Sequence, residues 1–137
     1  MTEDITNNAA KGIKKLSVLL VDDDEVSLRT MSNWLKSYFN VAVAKSGAAC
    51  ISYLAKNKPD LILLDYEMPV CDGVQTLEMI RSEEQYADIP VFFLTAVTNS
   101  EKVMSALKHK PQGYILKNTS VSDFLAKINQ FFDTKLE

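Results

Sequence analysis

The sequence predicts an α/β domain in which a parallel sheet carries helices on both faces. Five short apolar runs alternate with stretches whose apolar residues recur every three or four positions, and alternation at that spacing requires parallel strands joined by right-handed crossovers. One run, Leu61-Ile62-Leu63-Leu64, is apolar at every position. A strand covered on both sides reads this way. The side chains with chemistry to offer stand just beyond such runs, at the strand ends where open α/β sheets bind ligands.

Size and charge limit what the domain can do. A chain of 137 residues is one domain with enough apolar content for a real core. Its net charge is −3 and no dense basic run appears, so nucleic acid is not expected as a direct partner. No apolar run approaches the ~20 residues of a membrane span. The opening Met1-Thr2-Glu3-Asp4 lacks the basic-then-apolar order of a signal peptide. A soluble cytoplasmic protein is therefore expected. Cys50 and Cys71 have neither metal spacing nor a disulfide framework around them and are expected to be reduced.

Taken in order, residues 1–14 are polar and aperiodic and read as a mobile lead-in to a domain over 15–134. Leu16–Val21 is the first strand, ended by Asp22-Asp23-Asp24-Glu25. Leu28, Met31, Leu35 and Tyr38 mark the inner stripe of the first helix, which Trp34 borders as a packing residue. Val41–Ala44 is the second strand. Ser46 caps a helix whose inner face is Cys50, Ile51 and Leu54, and Lys58-Pro59 breaks it. The third strand delivers Asp65, and after Asp72-Gly73 the residues Val74, Leu77 and Ile80 mark the third helix. Pro90 opens the fourth strand, Val91–Thr95. Asn99 or Ser100 starts a fourth helix bearing Val103, Met104 and Leu107, with the surface residue His109 near its end. Gly113–Leu116 is the fifth strand, and Phe124, Leu125, Ile128 and Phe131 line the fifth helix. There is no internal repeat, low-complexity tract or linker.

Asp22 and Asp23 follow strand one, Asp65 ends strand three, Thr95 ends strand four and Lys117 follows strand five. Each has a bland reading alone: a turn former or cap for the acids, a strand residue for Thr95, a solvated lysine for Lys117. Together they require an accident at one sheet edge. Crowded carboxylates repel and raise one another's pKa unless a cation intervenes. An all-oxygen carboxylate set suits Mg²⁺, with Mn²⁺ as the alternative. The combination fits phosphoryl transfer: Asp65 as the nucleophile that forms an acyl phosphate, the metal and Lys117 offsetting charge, and Thr95 donating a hydrogen bond.

At this point the sequence resembles the receiver domains of two-component response regulators, over about Leu16 to Phe132. Leu19-Leu20-Val21-Asp22-Asp23 looks like that family's acidic pair, and Leu63-Leu64-Asp65-Tyr66-Glu67-Met68-Pro69-Val70-Cys71-Asp72-Gly73 like its phosphoacceptor segment. Leu94-Thr95-Ala96 matches the switch hydroxyl and Gly113-Tyr114-Ile115-Leu116-Lys117 the lysine segment. The resemblance implies a flavodoxin-like doubly wound sheet of order 2-1-3-4-5 with five helices. It implies that Asp23 and Asp65 ligate Mg²⁺ directly, that the backbone carbonyl of Glu67 adds a third oxygen, and that Asp22 acts largely through water. It makes Tyr114 the aromatic switch residue, and Glu67 and Val97 the positions that tune the lifetime of the phosphoryl group. The donor would be a phosphohistidine on a sensor histidine kinase or a histidine phosphotransfer protein. The output would be a surface of helix four, strand five and helix five that binds a downstream protein or effector domain, with homodimerisation on phosphorylation an open alternative. Such a domain catalyses only its own phosphorylation and dephosphorylation and is otherwise not an enzyme.

Two departures from the family pattern stand out. Asn118 follows Lys117 where the family usually has proline, often after a cis bond; a cis bond before a non-proline residue costs about 2.5–4 kcal/mol, so a trans peptide is expected. Lys110-Pro111-Gln112 replaces the small residues usual before Gly113, with a local effect expected. A haloacid-dehalogenase-like phosphatase would place its second acid two residues after the nucleophile on the first strand, whereas Asp65-Tyr66-Glu67 is on the third. A flavodoxin-like cofactor carrier would need a hydroxyl- and glycine-rich loop where Asp22-Asp23-Asp24-Glu25 stands. A receiver-like module that works without phosphorylation is opposed by the acidic set. The sequence contains no effector domain after its last helix, which fits a stand-alone receiver or a piece of a longer regulator.

Overall fold

A computed structural model describes residues 15–96, 108 and 110–136. The expected fourth helix, Val97 and His109 lie outside the described residues. The elements are β1 (Ser17–Val21), α1 (Glu25–Leu35), β2 (Asn40–Ala44), α2 (Gly47–Leu54), β3 (Leu61–Asp65), α3 (Gly73–Ser82), β4 (Val91–Thr95), β5 (Gly113–Leu116) and α4 (Val121–Leu136), the last of which is the fifth helix read from the sequence. The sheet is parallel throughout, in the order β2-β1-β3-β4-β5. This is the doubly wound architecture the resemblance implies.

Each strand splits its side chains between two cores, because successive residues point to opposite faces. Leu19, Val21, Ile62, Leu64 and Phe93 face α2 and α3, where Cys50, Leu54, Leu77 and Ile80 meet them. Val18, Leu20, Leu61, Leu63, Phe92, Leu94 and Ile115 face α1 and α4, against Leu28, Met31, Leu35, Phe124, Ile128 and Phe132. Every residue of β3 and β4 is buried, as a central strand covered on both faces requires. Each fully buried aliphatic or aromatic side chain contributes about 1.5–3 kcal/mol.

Local signals set the helix ends. Asp24 caps α1 by accepting from the Ser27 amide at 2.9 Å. Ser46 caps α2 through the Ala49 amide at 3.0 Å. Asp72 and Gln75 form a reciprocal capping box at α3. Trp34 packs edge-on against Phe124 with ring centroids 5.2 Å apart, which ties α1 to α4.

Two side chains depart from the expected stripes. Tyr38 is 57% exposed and Phe39 is buried in its place. The helix ends at Leu35, whose carbonyl accepts from the amides of both Tyr38 and Phe39, and this turn rotates the next residue inward. In α4, Phe132 is buried while Phe131 is half-buried and stacks edge-on over Phe92.

The unusual residues before β5 have a local function in the fold. The Gln112 side-chain oxygen accepts from the Val91 amide at 2.7 Å and from Arg81 at 3.0 Å. The same guanidinium donates to the carbonyls of Ala87 and Ile89, so it pins the α3–β4 connection. No cis peptide occurs among the described residues, and Lys117–Asn118 is trans as expected.

Candidate functional site

Parallel pairing brings β1, β3, β4 and β5 to a common carboxyl-terminal edge: Val21 pairs with Leu64, Asp65 with Leu94 and Thr95 with Leu116. The residues just past these positions are the ones singled out by the sequence. Asp22, Asp23 and Asp65 each offer a carboxylate oxygen, and these oxygens lie within 4.8 Å of one another. Asp22 is fully buried and Asp65 nearly so, while Asp23 is exposed.

The loops are held by the acids themselves. Asp22 Oδ1 accepts from the Asp24 amide at 3.0 Å, and Asp65 Oδ1 from the Glu67 amide at 3.3 Å. Gly73 fits where no other residue does: a Cβ there would stand 2.5 Å from the Asp65 carbonyl oxygen and 2.8 Å from Tyr66 Cα. This close approach lets the Gly73 amide donate to the Tyr66 carbonyl at 3.0 Å and seats α3 directly behind the phosphoacceptor candidate. Between them Val70 has a positive φ of 68° and is fully exposed, and the Cys71 amide closes a three-residue turn onto the Pro69 carbonyl at 2.7 Å. Cys71 lies 3.5 Å from the Thr76 hydroxyl and is half-buried. Cys50 is buried, and desolvation pushes its thiol pKa up to about 12, so it is an inert core residue as expected.

Lys117 crosses to the acids from the end of β5. Its ammonium is 2.7 Å from Asp22 Oδ2 and 3.3 Å from Asp65 Oδ1. The first contact satisfies the distance but not the alignment of a hydrogen bond, so Asp22 Oδ2 is buried without a well-directed donor. The reach of Lys117 thus survives the replacement of the usual proline by Asn118. The backbone also holds it, since the Lys117 amide donates to the Thr95 carbonyl at 2.8 Å and Thr119 closes a turn onto Leu116 at 3.2 Å. Thr95 is buried at the end of β4. Tyr114 is half-buried on β5 opposite Phe93.

Charge at this edge does not balance. Burial first, and then the neighbouring Asp22 carboxylate, raise the pKa of Asp65 to about 7, although Lys117 pulls it down. For Lys117, burial disfavours the charge, but its contacts with Asp22 and then Asp65 outweigh that and leave its pKa raised. Three carboxylates therefore share one ammonium that cannot neutralise them all. A hard divalent cation is the partner such an oxygen set fits, and the poorly satisfied Asp22 Oδ2 is the local sign of it.

Of the residues the sequence singles out, Asp22, Asp23, Asp65 and Lys117 are neighbours in the structure, with Thr95 at the same edge. The sequence reading missed one contact of Tyr114: the Lys127 ammonium stands 4.9 Å from the centre of its ring. No local signal could have shown this, because the pair forms only when α4 docks beside β5. Among the described residues, no helix is long and apolar enough to cross a membrane.

Comparison with known proteins agrees with this geometry. Residues 18–129 match the model of the response regulator receiver domain. The chain is 28% identical over 122 residues to the chemotaxis protein CheY-3 of Vibrio cholerae, covering 88% of this chain and 94% of that protein. It is 32% identical over 118 residues to the transcriptional regulatory protein PrrA of Mycobacterium tuberculosis, covering 85% of this chain and 50% of PrrA. Among solved structures, the chemotaxis protein CheY4 of Vibrio cholerae superposes with a TM-score of 0.78 at 26% identity, over 85% of this chain and 98% of that one. A family match over most of the chain, a sheet of the same order and an acidic cluster at the expected edge lead to one conclusion: this chain belongs to the response regulator receiver domain family.

Proposed function

We propose that Asp65 accepts a phosphoryl group from a phosphohistidine on a sensor histidine kinase or a histidine phosphotransfer protein. The observation that carries this reading is the buried, electrostatically frustrated Asp65 carboxylate beside Asp22, Asp23 and Lys117. A carboxylate oxygen of Asp65 forms the new O–P bond as the donor's N–P bond breaks, and the released imidazole keeps the electron pair and takes up a proton. Asp22, Asp23, Asp65 and the Glu67 carbonyl would hold Mg²⁺, which when bound supplies positive charge against the phosphoryl oxygens. Lys117, already anchored on both buried acids, stands where its ammonium offsets charge that develops on the same oxygens.

The phosphorylated state adds charge and strong acceptors beside the end of β4. Thr95 answers it with its hydroxyl, and the ring of Tyr114 responds to the movement of Thr95. The output surface, which includes β5 and α4, then passes to its partner-binding state. Glu67 and Val97 are the positions that set the lifetime of the acyl phosphate. The domain alters its own phosphorylation state and turns over no separate substrate.

Incubation with acetyl phosphate and Mg²⁺, read by intact mass, tests the reading. The wild type gains one phosphoryl group and Asp65→Asn gains none. Equal uptake by both proteins, or none by either, overturns it. Release of phosphate from diverse monoesters would favour a phosphatase instead, and a yellow purified protein a flavin carrier.

A further inference from the structure

Tyr114 and Lys127 belong to opposite layers of the molecule. Tyr114 packs with the core shared by β3, β4, α2 and α3. Lys127 rises from α4, whose Phe124, Ile128 and Phe132 fill the core on the other face of the sheet. Because β5 is the outermost strand of the order, the lysine stem can pass around it. The ammonium then sits 4.9 Å from the Tyr114 ring centre, within the range of a cation–π contact. Both residues line a cavity of about 270 Å³ together with Thr119 and Asp123. Asp123 stands four residues before Lys127 on the helix, the spacing at which a carboxylate and an ammonium meet. Lys127 therefore has two partners within its reach, an aromatic face across the strand and an acid on its own helix.

We propose that Lys127 is a positioning residue for the switch: its ammonium holds the Tyr114 ring in the position seen here, and when the ring moves it transfers to Asp123. The inference rests on the reading of Tyr114 given above but assigns a function to a residue outside the phosphoacceptor site. Lys127 touches neither Asp65 nor the acids around it. It acts through Tyr114, and it makes α4 sensitive to the ring without any change in the core packing of Phe124 and Ile128. A cation–π contact at an exposed site corresponds to a roughly two- to fivefold bias between ring positions.

The experiment uses the whole chain labelled with 3-fluorotyrosine, with the Tyr114 resonance assigned from Tyr114→Phe. Lys127→Met keeps the apolar stem and removes the charge, and Lys127→Arg keeps a cation. The Tyr114 resonance is expected to shift in Lys127→Met and to stay near wild type in Lys127→Arg, with Tyr53, Tyr66 and Tyr86 unmoved in both. In an Asp123→Asn background, where only the ring contact remains to be lost, titration with beryllium fluoride and Mg²⁺, a mimic of the acyl phosphate, should reach its midpoint at a roughly two- to fivefold lower concentration when Lys127→Met is added. The same titration of Asp123→Asn alone should be shifted the other way from wild type, because the alternative partner is lost. An unmoved Tyr114 resonance in Lys127→Met, or an equal shift in Lys127→Arg, overturns the proposal. The fluorotyrosine spectra of the unphosphorylated proteins read the ring directly, so failure of Asp65 to take up phosphate would count against the earlier reading and not against this contact.

Discussion

The two edges of the sheet treat buried polar groups in opposite ways. At the amino-terminal edge the two half-buried charged groups are well partnered: Asp60 accepts from the amide and the hydroxyl of Ser17 at 2.7 and 3.2 Å, and Arg81 is shared among two carbonyls and Gln112. At the carboxyl-terminal edge three carboxylates crowd one ammonium, a buried oxygen of Asp22 lacks a directed donor, and Val70 has a left-handed backbone. The first edge is built for stability. The second holds repulsion between carboxylates and a strained backbone at Val70, and proteins keep such features where they act.

Breaking the stable edge should therefore cost most. Arg81→Ala leaves the Ala87 and Ile89 carbonyls and the Gln112 oxygen without their charged donor. Hydrogen bonds to charged groups contribute about 1.5–3 kcal/mol each, but part of this network is exposed, so a loss of about 2–4 kcal/mol is expected. Urea unfolding at unchanged m would register it as a lower midpoint. Acyl phosphate uptake at temperatures well below unfolding should be retained. If the variant is as stable as wild type, the contrast between the edges is wrong.

Removing repulsion at the reactive edge should do the reverse. The folded-state pKa of Asp65 lies near 7, above the ordinary carboxylate value, so folding takes up a proton and the ionised group opposes the fold. That penalty is complete above about pH 7 and disappears below about pH 4. Asp65→Asn should gain roughly 1–3 kcal/mol at pH 8, less than the shift would give at about 1.4 kcal/mol per pKa unit, because local relaxation and water penetration weaken such penalties. At pH 4 the two proteins should unfold together. Added Mg²⁺ should raise the midpoint of the wild type more than that of the variant. A variant equally stabilised at both pH values would show that packing, and not charge, is responsible.

This contrast also explains how far the sequence could be read. The reactive edge was legible because each strand announces its own end, as Leu61–Leu64 announces Asp65, and parallel topology then gathers the ends. The quiet edge was not, since Arg81 and Gln112 are 31 residues apart and nothing local in either names the other. The same holds for Lys127 over Tyr114. Tyr38 was misplaced because a stripe of apolar residues does not show where a helix stops, and here the helix stops at Leu35. Asp24 followed by Ser27 did contain a capping signal, hidden among stronger acids that drew the functional reading.

The smallest effect concerns Val70. A β-branched residue with positive φ is a backbone outlier, and valine is among the least suited to it. The Pro69–Cys71 hydrogen bond at 2.7 Å encloses Val70 as the middle residue of a turn whose left-handed form is rare and strained. Its side chain is fully exposed, so removing it leaves no cavity. Val70→Gly should therefore gain stability from the relieved strain, about 1–3 kcal/mol, and lose part of it to the greater freedom of glycine in the unfolded chain. A net gain of roughly 0.5–1 kcal/mol is expected in urea unfolding. Val70→Ala, which keeps a Cβ at the same φ, should gain less than glycine does. Equal gains in the two variants would place the cost in the exposed isopropyl group and not in the backbone. That would leave crowded charge as the source of instability at this edge.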